Sequence, residues 1–316
     1  MNILLLGARG AVGSVIRREV ERRGHSVTTA GRTAPGAAGL DLNGDVAPLA
    51  SLSAAHDIVV NASGIERVEI AQAIGRVPLV EISAMGAYLD ALRTASPGAA
   101  VLGAGLAPGL STILVTALDS APGDEIDVFV MLGSGEVHGP AAVAWTAGLV
   151  GTNLYRAPEG RGIPNLRETR RATGPDGRER TYLRADFPDH ILLGTPAPGQ
   201  SSAPAPDLSI RSYLSLTSAP LTSALRLVGR LTVLRGALGL APHVGSDAWH
   251  VIARNRRTGE QRQVSGFGQS ESTGKLAALA AIRLGESTAT GAVTMADLVD
   301  LDDAVGALPA APRMGQ

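Results

Sequence analysis

The sequence predicts an α/β protein with an N-terminal parallel sheet, an inserted α+β domain and a C-terminal helix that returns to the first domain. Three observations carry that expectation. Through residues 1–120, short continuous apolar runs, the form of strands buried on both faces, alternate with amphipathic helical stretches. Residues 121–268 hold strands and helices without that alternation. Residues 269–316 form a helical segment whose stretch from Thr273 to Leu284 is too apolar to stand alone, so it needs a partner surface.

Length and composition agree with this division. The 316 residues suggest two domains at roughly 100–200 residues each. With 45% hydrophobic and only 3% aromatic residues, Val, Leu, Ile and Ala must fill the core. The 28 basic and 29 acidic residues nearly cancel, which gives no electrostatic reason to expect nucleic acid or an anionic membrane as partner. There is no cysteine, which removes disulfides, thiolate metal sites and a cysteine nucleophile together. Lys275 is the sole lysine. No charged, cleavable leader opens the sequence, and Pro108-Gly109 divides its longest apolar stretch, so a cytoplasmic protein is expected.

The first elements are explicit. Asn2 to Leu6 reads as a buried strand, and Gly7-Ala-Arg-Gly10-Ala-Val-Gly13 follows at once. Val12, Ile16 and Val20 recur at spacing four in a helix that Gly24 can end, and His25 to Ala30 is a second strand. Strand, glycine turn, helix and strand make the opening unit of a dinucleotide-binding Rossmann domain. Gly7 and Gly10 serve the tight turn and the approach of backbone to a pyrophosphate, and Gly13 lets the helix pack on the strand. Ala11 and Val12, at the helix start, offer free N–H groups and a positive dipole end to phosphates.

The end of the second strand discriminates between cofactors. An NAD-specific fold places Asp or Glu there, whereas this chain has Gly31-Arg32-Thr33. A guanidinium binds a 2′-phosphate in bidentate fashion, and Arg9 in the glycine turn can approach the same group, so NADP(H) is the expected cofactor. Arg32 alone would read equally as a solvated surface residue. Asp41-Leu42, after a Gly/Ala-rich link, is a contact to adenine or only a turn. Asp57 to Ser63 reads as a fourth strand with Asn61-Ala62-Ser63-Gly64 at its carboxyl end, where ligands of such sheets bind. Pro78 to Ser83 is the next strand, Ala100 to Ala104 the sixth, and a helix runs from Leu110 to about Leu118.

Beyond residue 120, Glu125 to Leu132 is a strand, followed by the Gly-rich stretch 133–140 and a helix from about Ala141 to Val150 that carries Trp145. Eight Arg against four acids lie between Arg156 and Arg184, in exposed strands and loops that could hold a carboxylate. Thr195 to Asp207 is a Pro/Ala/Ser-rich loop, Leu208 to Thr217 a strand, and Leu221 to Leu238 a helix. Ala248 to Ala253 and Gln261 to Ser265 flank Arg257-Thr-Gly-Glu260 as a hairpin.

The pattern resembles the saccharopine dehydrogenase-like reductases, on Gly7, Gly10 and Gly13, on Gly105-Leu-Ala-Pro-Gly109, and on the layout of most of the chain. In that family the position before the proline is often Asp, and here it is Ala107. The resemblance implies an NADP-binding Rossmann domain, an inserted domain, returning C-terminal helices, and reduction of C=N or activated C=C bonds.

The residues narrow the chemistry further. No Tyr has Lys four positions on, and no His-Glu-x-x-His or other metal spacing occurs, so hydride transfer without a metal is expected. A reductase needs a proton source near the nicotinamide. His138, in a Gly-rich loop, and Glu81, near the carboxyl edge of the sheet, are the candidates, against readings as a surface histidine and a structural ion-pair partner. Ser83 is a candidate cofactor contact. Pro108, Ser111 and Trp145 are candidate substrate contacts, with packing roles as the alternative. His250 and Lys275 read as structural and solvated. Two functions stay open: an NADPH-dependent oxidoreductase acting on a small metabolite, as a homodimer, or a non-catalytic NADP(H)-binding sensor or scaffold on the same fold.

Overall fold

The computed structural model describes residues 1–32, 34, 38–136, 139–194, 207–231, 236 and 245–309. The chain divides into two compact units, one made of Met1–Leu110 with Thr273–Ala307, the other built on Ser111–Ser272.

The first unit is a Rossmann-like parallel sheet. Strand β1 (Asn2–Leu6) buries Ile3 to Leu6 completely, as its unbroken apolar run requires. Helix α1 (Ala11–Arg22) buries Val15, Ile16 and Val20 on one face, and Gly24, at a φ of +83°, makes the left-handed turn that ends it. Then follow β2 (Ser26–Ala30), α2 (Leu49–Ser53), β3 (Ile58–Asn61), α3 (Val68–Ile74), β4 (Leu79–Glu81), α4 (Gly86–Ala95) and β5 (Ala100–Leu102). The strands lie in the order β2-β1-β3-β4-β5, all parallel. The chain steps outward from β1 to β2 and then crosses to β3 on the other side. That places a topological switch point between the carboxyl ends of β1 and β3.

One expectation needs correction. The strand over 57–63 is the third, not the fourth, and that over 100–104 is the fifth, not the sixth. Among the described residues before Asp41, Gly39 makes an isolated bridge to Gly31, and Asp41 to Gly44 is a turn closed by the Gly44 N–H on the Asp41 carbonyl at 3.0 Å.

The returning helix joins this unit from Thr273 onward, and a short helix α10 (Leu301–Ala307) follows it. In helix α9 (Gln269–Glu286), Leu276 to Ala281 are buried, and a Cβ at Gly274 would lie 2.5 Å from Val15 Cβ on α1. The glycine lets the two helices touch. Strand β12 (Ala292–Val293) then adds to β5 in parallel. Among the described residues, no helix is long and apolar enough to cross a membrane.

The second unit holds α5 (Leu110–Thr116) from its second residue, β6 (Glu125–Leu132), α6 (Pro140–Leu149), β7 (Thr169–Thr173), β8 (Glu179–Arg184), α7 (Asp189–Leu192), β9 (Ser209–Leu216), α8 (Ala219–Arg230), β10 (Ala248–Asn255) and β11 (Gln261–Phe267). Its sheet is mixed, in the order β11-β10-β6-β9-β8-β7, with β6 and β9 parallel and the remaining pairs antiparallel. The expected hairpin is β10–β11. Helix α8 starts two residues before the expected Leu221, because the Ser218 hydroxyl caps it and Pro220 fits its first turn. Residues 232–235, 237 and 238 of that predicted helix, and most of the predicted loop from Thr195, lie outside the described residues. The Tyr182 hydroxyl on β8 meets His250 Nε2 on β10 at 2.6 Å, and Tyr182 packs in a core with Phe129, Met131, Tyr213 and Ile252.

Candidate functional site

A cleft of about 410 Å³ opens at the switch point of the first unit. Gly7, Ala8, Arg9 and Gly10 line it from the β1–α1 turn, Gly31 and Arg32 from the end of β2, Asp41 from the following turn, and Ala62 and Ser63 from the end of β3. Eight of the predicted cofactor contacts therefore share one concave surface. Ala11, Val12 and Gly13 sit behind it in the first turn of α1, and Asn61, Gly64 and Ser83 lie off its wall. Thr33 lies outside the described residues. Leu42, read with Asp41 as an adenine contact, lines the cleft as well, and the sequence reading missed Leu40, Asn43 and Ile65. Their adjacency to Asp41 and Gly64 is the only signal the sequence carries for them.

The three glycines have distinct reasons. At Gly7, φ is +83°, and an added Cβ would lie 2.4 Å from the Ala62 carbonyl oxygen. At Gly13 a Cβ would lie 2.2 Å from the Gly7 carbonyl oxygen. Both are demanded by the fold itself. At Gly10 a Cβ would meet only the Gly7 oxygen, at 3.4 Å, so nothing among the described residues requires glycine there. Helix α1 starts at Gly10 with no side-chain cap and no acid in its first turn, which leaves its positive end uncompensated. The Arg9 and Arg32 side chains are exposed and, among the described residues, tied to no carboxylate. The exposed Asp41 is the acid of the cleft wall, and its Oδ1 accepts the Asn43 N–H at 3.1 Å.

Beside the cleft, the carboxyl ends of β3 and β4 are joined by a buried network. Glu81, 2% exposed, accepts hydrogen bonds from Asn61 Nδ2 at 2.7 Å, the Tyr88 hydroxyl at 2.9 Å and the Ser83 N–H at 2.9 Å. Asn61 Oδ1 in turn accepts from the Ser63 hydroxyl at 2.6 Å, which connects the network to the cleft wall. The Ser83 hydroxyl donates to Glu66 at 2.5 Å. Burial pushes the Glu81 carboxyl up to about 7, against the three hydrogen bonds that favour its charged form. Both Glu81 oxygens are thus engaged by internal donors, an arrangement that shapes the β3 and β4 loops. Tyr88 and Glu66 are members of this network that the sequence reading missed.

The remaining candidates lie elsewhere. His138 is outside the described residues. Pro108 is buried in the turn before α5, where Gly109, at a φ of +125°, lets the Leu110 N–H reach the Gly105 carbonyl at 2.8 Å. In the second unit, Ser111 is fully buried, and its hydroxyl donates to Asp189 Oδ1 at 2.5 Å. Asp189 also accepts from the Ser212 hydroxyl at 3.1 Å, and burial raises its pKa. Trp145 packs on Phe187 with ring centroids 4.8 Å apart. Ser111 and Trp145 therefore meet the same segment, Phe187 to Asp189. His250 is buried against Tyr182 and its pKa is depressed to about 4 by that burial, in keeping with the structural role expected for it. Of the Arg-rich stretch, Arg161, Arg170, Arg171, Arg178, Arg180 and Arg184 each pair with an acid within the unit.

No protein-family model matches the chain, and no curated protein is similar to it in sequence. Among solved structures it is similar to C. glutamicum DAP dehydrogenase in complex with DAP, at a TM-score of 0.46 and 14% identity over 97% of this chain and 98% of that one. An engineered D-amino acid dehydrogenase bound to NADP+ follows at a TM-score of 0.44 and 14% identity, over 97% and 98%. Dipicolinate-bound dihydrodipicolinate reductase from Paenisporosarcina sp. TG-14 has a TM-score of 0.41 and 10% identity, over 95% and 99%. These likenesses, at such scores and identities, carry nothing about cofactor or substrate.

Proposed function

We propose that the chain is an NADPH-dependent oxidoreductase that transfers hydride to a C=N or activated C=C bond of a small metabolite. The observation that carries this reading is the cleft at the β1/β3 switch point, lined by Gly10 and by two guanidiniums unpaired among the described residues, Arg9 and Arg32. In this reading the α1 N-terminus and the Gly7–Gly10 backbone hold the pyrophosphate. Arg9 and Arg32 hold the 2′-phosphate, which a carboxylate at the end of β2 would repel. Asp41 and Asn43 face the adenine, and Ser63, oriented by Asn61 and Glu81, faces the nicotinamide half. The reduced nicotinamide supplies the hydride. The narrower likeness to saccharopine dehydrogenase-like reductases, and a homodimeric state, belong to the same reading.

The test is hydride exchange. NADPH carrying deuterium at one face of C4 should pass it stereospecifically to a member of a panel of cyclic imines, 2-oxo acids with ammonia, and enones. A second reading, a non-catalytic NADP(H) sensor, is favoured by one observation: Glu81, the described catalytic candidate, has both oxygens occupied by internal donors. NADPH binding without deuterium transfer to any of the panel would select it.

A further inference from the structure

The outer wall of the cleft is a turn with little of its own to hold it. Leu40 to Asn43 line the cleft, yet the turn's internal bonds are a 3.0 Å contact from the Gly44 N–H to the Asp41 carbonyl and a 3.1 Å contact from the Asn43 N–H to the Asp41 carboxylate. From outside, the Leu40 N–H donates to the Gly31 carbonyl at 3.2 Å at the near end of the turn, and one side chain reaches its far end. Nη1 of Arg67 donates to the Leu42 carbonyl at 2.9 Å and to the Gly44 carbonyl at 2.8 Å. Its Nε lies 3.5 Å from a Glu69 carboxylate oxygen. Arg67 stands two residues after Ile65, which lines the cleft from the β3 side, and immediately before α3. A single half-buried guanidinium therefore ties the two walls together across 25 residues of sequence.

We infer that Arg67 is a positioning residue for the cofactor: it holds the Leu40–Asn43 wall where the adenosine half of a dinucleotide must pack, without touching the nucleotide's phosphates. The inference rests on the dinucleotide reading above. A charged donor shared between two carbonyls is among the stronger hydrogen-bonding arrangements at a surface. Removing it leaves the Leu42–Gly44 end of the turn to its internal bonds and to the burial of Leu40 and Leu42, and ligand binding must then supply the ordering that is lost. The loss falls on whatever the wall contacts and spares the rest of the site. It also differs in kind from a loss at Arg32, which changes the preference between phosphorylated and unphosphorylated cofactor.

The experiment measures affinities of 2′,5′-ADP, 5′-AMP and nicotinamide mononucleotide for the full chain, for Arg67→Ala and for Arg67→Lys, by calorimetry and by saturation-transfer NMR for the weakest ligand. Arg67→Ala should weaken 2′,5′-ADP and 5′-AMP by the same factor, about tenfold, which is about 1.4 kcal/mol. Nicotinamide mononucleotide should stay unchanged, and Arg67→Lys should recover part of the loss. Equal weakening of all three ligands, or no change in 2′,5′-ADP, overturns the inference. Failure of the unmutated chain to bind 2′,5′-ADP overturns the cofactor reading beneath it, a result distinct from either. If the alanine chain does not fold, the lysine variant carries the same comparison with a smaller factor.

Discussion

Alanine substitutions at Gly7, Gly10 and Gly13 should separate the glycines the fold needs from the one a ligand needs. At Gly7, a φ of +83° costs an L-residue about 1–2 kcal/mol. The Cβ placed 2.4 Å from the Ala62 carbonyl oxygen adds overpacking strain of about 1–3 kcal/mol. At Gly13 the backbone is helical, but a Cβ 2.2 Å from the Gly7 oxygen carries the same overpacking cost of about 1–3 kcal/mol. These are large fractions of a total stability of about 5–15 kcal/mol. At Gly10, φ and ψ are −69° and 164°, open to alanine, and the nearest atom is at 3.4 Å. Loss of a Gly N-cap and gain of a stiffer unfolded chain oppose each other there, within about 1 kcal/mol. Gly7→Ala should therefore lower the melting temperature by about 5–15 °C, with Gly13→Ala close behind. Gly10→Ala should melt within a few degrees of the parent but bind NADPH at least about tenfold more weakly. Thermal melts by circular dichroism and NADPH fluorescence titrations read both quantities. A Gly10→Ala chain that binds NADPH within twofold of the parent, or that melts as low as Gly7→Ala, refutes the reasoning.

Glu81 predicts a pH dependence: its folded pKa, raised to about 7, means that the native state holds its proton longer than the unfolded chain. Its contribution is full below the unfolded carboxyl value and is lost as pH rises through 7, a change of about 3 kcal/mol, so urea melts of the parent and Glu81→Gln should converge at low pH and diverge in the mutant's favour above pH 7. His250 runs the other way, because burial depresses its folded pKa to about 4. Its contribution is present above the unfolded histidine value and is lost as pH falls toward 4, and Tyr182→Phe should lower stability by about 1–3 kcal/mol through the unpaired ring nitrogen it leaves, measured at pH 7.5. Ser111→Ala removes a donor from the buried Asp189 and should cost about 1–3 kcal/mol in urea melts with NADPH affinity unchanged, and a shift in NADPH affinity would contradict its placement in the second unit.

Much of the first unit was legible in the sequence because its signals are local. Asn2 to Leu6, the glycine turn and the Val12, Ile16, Val20 periodicity lie within one another's reach along the chain, and β1, the turn and α1 formed where those signals stood. The returning helix was legible from its apolarity, which needs a partner whatever that partner is. The strand count was not legible in the same way: the segment over 57–63 was numbered fourth although two strands precede it among the described residues. What stayed hidden is long-range and polar. Arg67 reaches Leu42, Ser111 reaches Asp189 across 78 residues, and Tyr182 reaches His250 across 68. Periodicity identifies which face of an element is buried and is silent on which polar group meets it. Glu81 was legible as a buried carboxyl in a strand, but its three donors from Asn61, Ser83 and Tyr88 were not.

The central claim is that the switch-point cleft binds a 2′-phosphorylated dinucleotide through Arg9 and Arg32. The most direct measurement is the ratio of NADH to NADPH dissociation constants, by calorimetry, for the parent chain and for Arg32→Asp. The ratio should be well above one in the parent and fall by about 30-fold or more in the mutant, about 2 kcal/mol, with most of the change in NADPH. A parent ratio near one, or equal weakening of both cofactors in Arg32→Asp, would contradict it.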